Sequence, residues 1–306
     1  MGGFYAVRSW ATFVRDAEWE KMVGVSIRNF ETLGSEIQGL DLSQPLTSDD
    51  RAIIQDALDR QLVVVVRDQH LSDPELLAFT RNFGELDPPG PNPYGEPFNK
   101  AFPEINVISN VIENGRPIGG LGAGEAAWHA DMTYIDIPPK AAILHALEIP
   151  PAGGGNTYFA DMYAAYEALP ADLKSVIVGR TAVHDASRNS AGLLRKGYVE
   201  VRDVRETVGA RHPLVRKDPK TGRRALYLGR RHNSYVVGLD LADSEALLDR
   251  LWAHATQPNF TMCHEWRVGD VLMWNNLAVL HRRDPFDASA RRIMHRTQIK
   301  GVERIA

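Results

Sequence analysis

Residues 126–160 read AAWHADMTYIDIPPKAAILHALEIPPAGGGNTYFA. The pattern is strand-like, punctuated first by Pro138-Pro139 and then by the proline- and glycine-rich PPAGGGN. On a strand, residues i and i+2 point to the same face. His129 and Asp131 are therefore expected to project together, each able to reach one metal ion. Two ligands do not make a stable site, so a third must come from elsewhere in the chain.

On the N-terminal side, SDDRAIIQDALDRQ (48–61) carries apolar residues at helical spacing behind Thr47 or Ser48 as the cap. LVVVVRD (62–68) follows at once, a continuous β-branched run of the kind buried on both faces of a sheet. SDPELLAFTRNFG (72–84) has Ser72 and Glu75 as a capping box, Pro74 in the first turn and Gly84 as a stop. EINVISNV (104–111) reads as another strand. On the C-terminal side come two short helical stretches, around MYAAYEAL (162–169) and PADLKSVIV (170–178). The segment His184–Tyr198 is polar and irregular, with Arg188, Asn189 and Ser190 at its centre; loops of that length are usually functional or mobile. A hairpin is expected at Asp218–Gly222, a helix at DSEALLDRLWAHA (243–255), and strands at FTMCHEW, DVLMWNN, LAVLHRR and RRIMHRTQI. Many short strands with a few flanking helices suggest a β-sandwich or barrel decorated by helices.

The chain of 306 residues is 44% hydrophobic and carries a net charge of -4, so a sizeable core is available and no electrostatic footprint for nucleic acid is expected. RKDPKTGRR (216–224), the most basic segment, reads as a solvated hairpin tip. No apolar run approaches the ~18 residues of a membrane span, so no membrane partner is expected. The single cysteine, Cys263, forbids an intrachain disulfide, suits a reducing cytoplasm and is expected to pack as a small hydrophobe. Residues 1–22 lack the order of a signal peptide, and Ala6 stands where myristoylation wants Ser or Thr. They read as an accessory segment ahead of a single domain at 23–306.

Context sorts the histidines. His145, in the apolar AAILHALE, reads as a satisfied core residue. His70, His212, His232, His254 and His264 sit in turns, helices or amphipathic strands with no carboxylate companion expected. His281 differs, because it ends the strand LAVLH just before a charged loop. Two histidines and one carboxylate form the facial triad of non-haem iron(II) oxygenases, whereas zinc more often takes cysteines or a third histidine. In HRRDPFDASARRIMHRTQI (281–299), Arg292, Met294 and Arg296 share one face of a strand. Both guanidinium forks then enter one cavity if that face is inward, and such forks pair bidentately with carboxylates.

With these residues in place the chain resembles the taurine/2,4-dichlorophenoxyacetate dioxygenase family of iron(II)- and 2-oxoglutarate-dependent enzymes. The resemblance runs from about Val25 to Gly301, through LGSEIQGLDLSQPL, WHADMTYIDIPPKAAIL, GGGNTYFADMYAAYEAL, HPLVRKDPKTGRRALYLG and WNNLAVLHRRDPFDASARRIMHRTQI. It implies a mainly β fold with a double-stranded β-helix (jelly roll, cupin-like) core and helices outside. It implies iron(II) as cofactor, held by His129, Asp131 and His281, with 2-oxoglutarate and O2 as co-substrates. Arg292 and Thr157 match the residues that hold the distal carboxylate of 2-oxoglutarate. Arg296 matches a second arginine near the other carboxylate and the substrate's acidic group. The implied reaction hydroxylates an unactivated C–H of a small anionic or zwitterionic substrate and gives succinate and CO2. Other oxidative outcomes (desaturation, ring formation) and a non-catalytic jelly-roll binding protein are the alternatives. Asp131 favours hydroxylation over halogenation, since related halogenases replace that carboxylate. A homo-oligomer, dimer or tetramer, is also implied.

The substrate side departs from the taurine pattern. An asparagine belongs four residues before the first ligand, where this chain has Glu125, and the loop DPPGPNPYGEPFNK has no histidine and only Tyr94 as tyrosine. Taurine is therefore not the expected substrate. Candidate substrate contacts are Glu125, Asn110, Arg296, Arg188 and Asn233, with Arg230 and Arg231 beside the last. If Arg296 takes an anion and Glu125 a cation, a zwitterion fits.

Overall fold

Four consecutive valines, Val63–Val66, are all buried in the computed structural model, which describes residues 20–22, 24–90, 92, 94–229 and 233–306. Such a strand needs partners on both edges and cover on both faces. It pairs in parallel with Ser35–Gln38 and antiparallel with Val271–Asn275. The sheet continues through Ala141–Glu148, Ile293–Ile299, Asn106–Ser109 and Gly120–Leu121, and on the other side through Val25–Asn29 to Glu20–Met22. We call it the major sheet. A minor sheet of four strands runs in the order Thr261–His264, Thr157–Asp161, Val279–Arg283, Ala126–His129.

Alternation along the strands divides the core in two. Val64, Val66, Ile143, Val271 and Met273 face one way and pack with Ile54, Leu58, Leu76 and Phe79. Those last four come from the helices Ser48–Gln61 and Asp73–Arg81, which cover that face. Val63, Leu144, Leu272, Trp274 and Met294 face the other way, toward Phe159 and Leu280 of the minor sheet. Each fully buried side chain of this size contributes about 1.5–3 kcal/mol of apolar transfer. The helix Leu241–Ala255 closes the second core with Leu248 and Leu251. The expected caps are present: Thr47 with Asp50, and Ser72 with Glu75. The hairpin is present too, Val215–Lys217 pairing with Arg224–Leu226. The fold is mainly β with few helices, as expected.

Two expectations need correction or restriction. Cys263 does not pack inside: the strand Thr261–His264 is an edge of the minor sheet, and alternation turns Cys263 outward while His264 faces in. Of residues 1–22 only Glu20–Met22 are described, as a strand against Val25–Ile27; the accessory role given to the rest lies outside the described residues. No helix among the described residues is long and apolar enough to cross a membrane.

Candidate active site

His129 and His281 are register partners across the two neighbouring strands of the minor sheet, with ring centroids 4.1 Å apart. His129 ends its strand, so Asp131 stands in the turn beyond it, not on the strand as the i, i+2 pattern predicted. The chain bends at Met132, which has a left-handed φ of 51°. The Ala130 N–H donates to the Gly229 carbonyl at 3.0 Å. Gly229 itself has φ +65°, and a Cβ there would come within 2.0 Å of His184 Nδ1, so only glycine serves. This turn carries the carboxylate back to the histidines. Asp131 Oδ1 lies 3.7 Å from His129 Nε2, and Oδ2 lies 3.9 Å from His281 Nε2.

All three side chains are buried, and one donor atom from each lies within 4.8 Å of the others. The Ala127 carbonyl can only accept, so His129 Nδ1, 2.7 Å from it, carries the ring proton and the Nε2 lone pair faces the triangle. Burial alone would raise the Asp131 pKa. The Arg296 guanidinium, 2.8 Å away, overrides this and holds the carboxyl well below the usual carboxylate range. Asp131 Oδ2 is buried without a hydrogen-bond partner among the described residues. Two imidazole nitrogens and one ionised carboxylate with an unused oxygen fit a divalent first-row metal ion.

Beside the triangle lies a narrow cavity walled by Trp274, Leu144 and Ile108, into which Thr157, Arg283 and Arg292 also face. Arg292 stands at the start of the strand Ile293–Ile299 and is 1% exposed. Neither Arg283 nor Arg292 meets a carboxylate among the described residues. Burial, with Arg283 nearby, pushes Arg292 down to about 9, and burial pushes Arg283 down to about 10. A buried cation without an acid is costly unless an anion joins it. The Thr157 hydroxyl accepts the Trp266 indole N–H at 2.9 Å, which leaves its own hydrogen to donate.

The description "Taurine catabolism dioxygenase TauD, TfdA family" belongs to a family model that matches residues 26–298. The chain belongs to this family. TauD/TfdA relatives include a 2,4-dichlorophenoxyacetate dioxygenase of Cupriavidus pinatubonensis, 37% identical over 85% of this chain and 92% of its own. Pentalenolactone F synthase of Streptomyces avermitilis is 33% identical over 86% of this chain and 90% of its own. Among solved structures, a taurine dioxygenase from Burkholderia xenovorans superposes with a TM-score of 0.73 at 32% identity, covering 91% of this chain and 90% of that one. AAD-2, in complex with Mn(II) and N-oxalylglycine, gives 0.74 at 30% identity, over 92% and 99%.

The substrate candidates fare unevenly in this TauD/TfdA chain. Arg296 lines both the narrow cavity and a wider outer one. Glu125 is exposed and lines neither, because it precedes the strand Ala126–His129 on the outer side of its loop. The zwitterion reading loses its cation partner with it. Asn110 reaches the outer cavity, but its amide donates to the Ala288 and Ala290 carbonyls and accepts from Arg292 N–H. It splints the approach to Arg292. Arg188 pairs with Glu200 and with the Gly192 carbonyl, and Asn233 with Asp185; neither lines the narrow or the outer cavity. Arg230 and Arg231 lie outside the described residues. His264 does have an acid companion, Asp270 at 3.0 Å, brought by the following strand. His145 is satisfied in the core by the Gln69 carbonyl, as expected.

Asn276 was not legible as a site residue. Its side chain accepts the Asp131 N–H at 2.7 Å and donates to the Asp131 and Pro139 carbonyls at 2.9 and 2.8 Å. It thus fixes the turn that carries the carboxylate. Asn276→Ala is expected to weaken Mn(II) binding roughly 10–100-fold, as loss of a ligand's supporting contact does. It should also destabilise the fold by about 2–3 kcal/mol through unsatisfied buried backbone groups. Metal titration and denaturant unfolding read the two effects; an unaltered metal affinity would exclude the role.

Proposed function

We propose that this chain is an iron(II)- and 2-oxoglutarate-dependent dioxygenase that hydroxylates an unactivated C–H of a small anionic substrate, with succinate and CO2 as the other products. We take residues 23–306 as one domain on a double-stranded β-helix core, since the major sheet contributes side chains to both halves of the core. One observation carries the reading: a buried His129–Asp131–His281 triangle opens beside a cavity holding two arginines that meet no acid among the described residues. A binding module has no need of the triangle, and a purely structural metal site has no need of the arginines.

Bound iron would supply the oxygen activation that couples loss of CO2 from 2-oxoglutarate to oxidation of the substrate. The chain's own residues do the rest. Asp131, kept ionised by Arg296, and the two imidazoles would hold the ion. Arg292 pairs with the distal carboxylate of the co-substrate, and Thr157, its oxygen already occupied by Trp266, donates to the same carboxylate. Trp274 and Leu144 keep water out, which strengthens every charged contact inside.

The test is succinate release from 2-oxoglutarate with iron and ascorbate, across aryl and alkyl carboxylates, sulfonates and sulfate esters. Substrate-stimulated succinate with an equimolar oxidised product is expected. No succinate with any compound, together with no binding of N-oxalylglycine by the Mn(II)-loaded protein, would refute the proposal. Mass spectrometry of the product separates hydroxylation from desaturation or ring formation.

A further inference from the structure

Resting on the dioxygenase reading, we infer that Arg195 is the residue that reads the substrate's charge, and that the substrate is a monocarboxylate with a bulky apolar body. The outer cavity, of about 300 Å³, adjoins the co-substrate cavity and shares His129, Ser190, Leu121 and Arg296 with it. Among the described residues lining the two cavities there are four arginines (195, 283, 292 and 296) and one acid, Asp131. Four positive charges less one leaves three. Iron(II) and dianionic 2-oxoglutarate cancel one another, so loading the site leaves that excess in place. Buried positive charge of this size favours an anion as the remaining ligand.

The four arginines are not equivalent. Arg283 and Arg292 line only the co-substrate cavity, and Arg296 is committed to Asp131 at 2.8 Å. Arg195 lines only the outer one. It is 6% exposed and meets no carboxylate among the described residues. One Nη donates to the Ala186 carbonyl at 2.8 Å, while Nε is buried without a partner among the described residues. Its guanidinium lies 4.0 Å from the centroid of the Tyr134 ring. That ring is itself wedged against Gly90, where a Cβ would come within 2.1 Å of the tyrosine oxygen. The cation is thus held rigidly in place before the substrate arrives, which reduces the ordering cost of binding. The surrounding wall carries an apolar stretch of Phe98, Ile112, Leu121, Met132 and Leu193, beside the polar side chains of Asn106, Ser109 and Asn189. With Glu125 outside, the one acid among the described lining residues is Asp131, already paired with Arg296. An aryl or alicyclic body against that wall, with one carboxylate on Arg195, satisfies both surfaces.

The experiment uses the full chain loaded with Mn(II) and N-oxalylglycine, which binds substrate without turnover. It is titrated calorimetrically with 2,4-dichlorophenoxyacetate, phenylacetate and cyclohexylacetate, each beside its primary amide. At least one acid should bind the parent chain tenfold or more tightly than its amide. Arg195→Gln should bring that acid down to the amide's level while leaving the amide and N-oxalylglycine within twofold, and Arg195→Lys should restore part of the difference. The inference is overturned if no acid binds the loaded parent, if Arg195→Gln weakens acid and amide alike, or if the acid is unaffected by both variants. Failure of the parent to take up N-oxalylglycine, together with no succinate from any compound, overturns the dioxygenase reading as well; uptake with no acid bound overturns the inference alone.

Discussion

Asp131→Asn protein takes up Mn(II) roughly a thousandfold more weakly than the parent chain, a difference of about 4 kcal/mol. The asparagine keeps the shape of the side chain and can still accept from Arg296, so the buried guanidinium is not abandoned. What disappears is the only charge in the ligand triangle. Alanine would be the poorer test, since removing one member of a buried pair costs several kcal/mol of fold stability in its own right. His129→Ala and His281→Ala should lose metal to a comparable degree. Calorimetric titration of the metal-free protein, with thermal unfolding beside it, reads both quantities. An Asp131→Asn chain that binds Mn(II) as the parent does would mean that the triangle is not the metal site.

Arg292→Met is expected to give a more stable protein that no longer binds its co-substrate. Arg292 is fully buried, bonded to the Gly155 carbonyl at 3.3 Å and, among the described residues, to no acid. A base whose folded pKa is pushed down, here to about 9, destabilises the fold wherever it is charged. The penalty is therefore complete at neutral pH and fades only as pH rises through that value. Methionine fills a similar volume without the charge, so the metal-free, ligand-free chain should gain on the order of 2 kcal/mol. N-Oxalylglycine should raise the unfolding temperature of the parent and leave that of the variant unmoved. A variant less stable than the parent, or one still stabilised by the ligand, would contradict this account of the cavity.

The sequence made some parts of this protein plain and hid others for physical reasons. Val63–Val66, the capped helices and the hairpin at Asp218–Gly222 depend on local pattern, which composition and periodicity carry directly. Arg292 and Arg296 were legible as a pair because their shared segment sets both on one face; His281 stood out as an expected strand end, although its strand Val279–Arg283 runs on past it. Asp131 was placed in the right company by the wrong geometry, since the turn after His129 does what a longer strand was expected to do. Arg283, Arg195 and Asn276 could not be found from neighbours in sequence. Arg283 joins the site because its strand registers with Ala126, and Asn276 because the end of one strand meets the turn of another. Arg195 sits in a segment without regular structure, where no periodicity assigns a face. Glu125 failed for the converse reason: closeness to a ligand in sequence says little about direction at a loop end.

The order of the major sheet bears on how the protein is made. Val271–Asn275 lies between Val63–Val66 and Ala141–Glu148, and Ile293–Ile299 lies between Ala141–Glu148 and Asn106–Ser109. Strands synthesised early thus leave slots that only late strands can fill. During translation the nascent chain carries apolar strand edges waiting for partners more than a hundred residues away, a topology that folds slowly and attracts misassociation. His281 and Arg292 arrive with those late segments. Metal and co-substrate affinity should therefore appear only with a finished sheet, which makes Mn(II) uptake a measure of completed folding in cell-free synthesis.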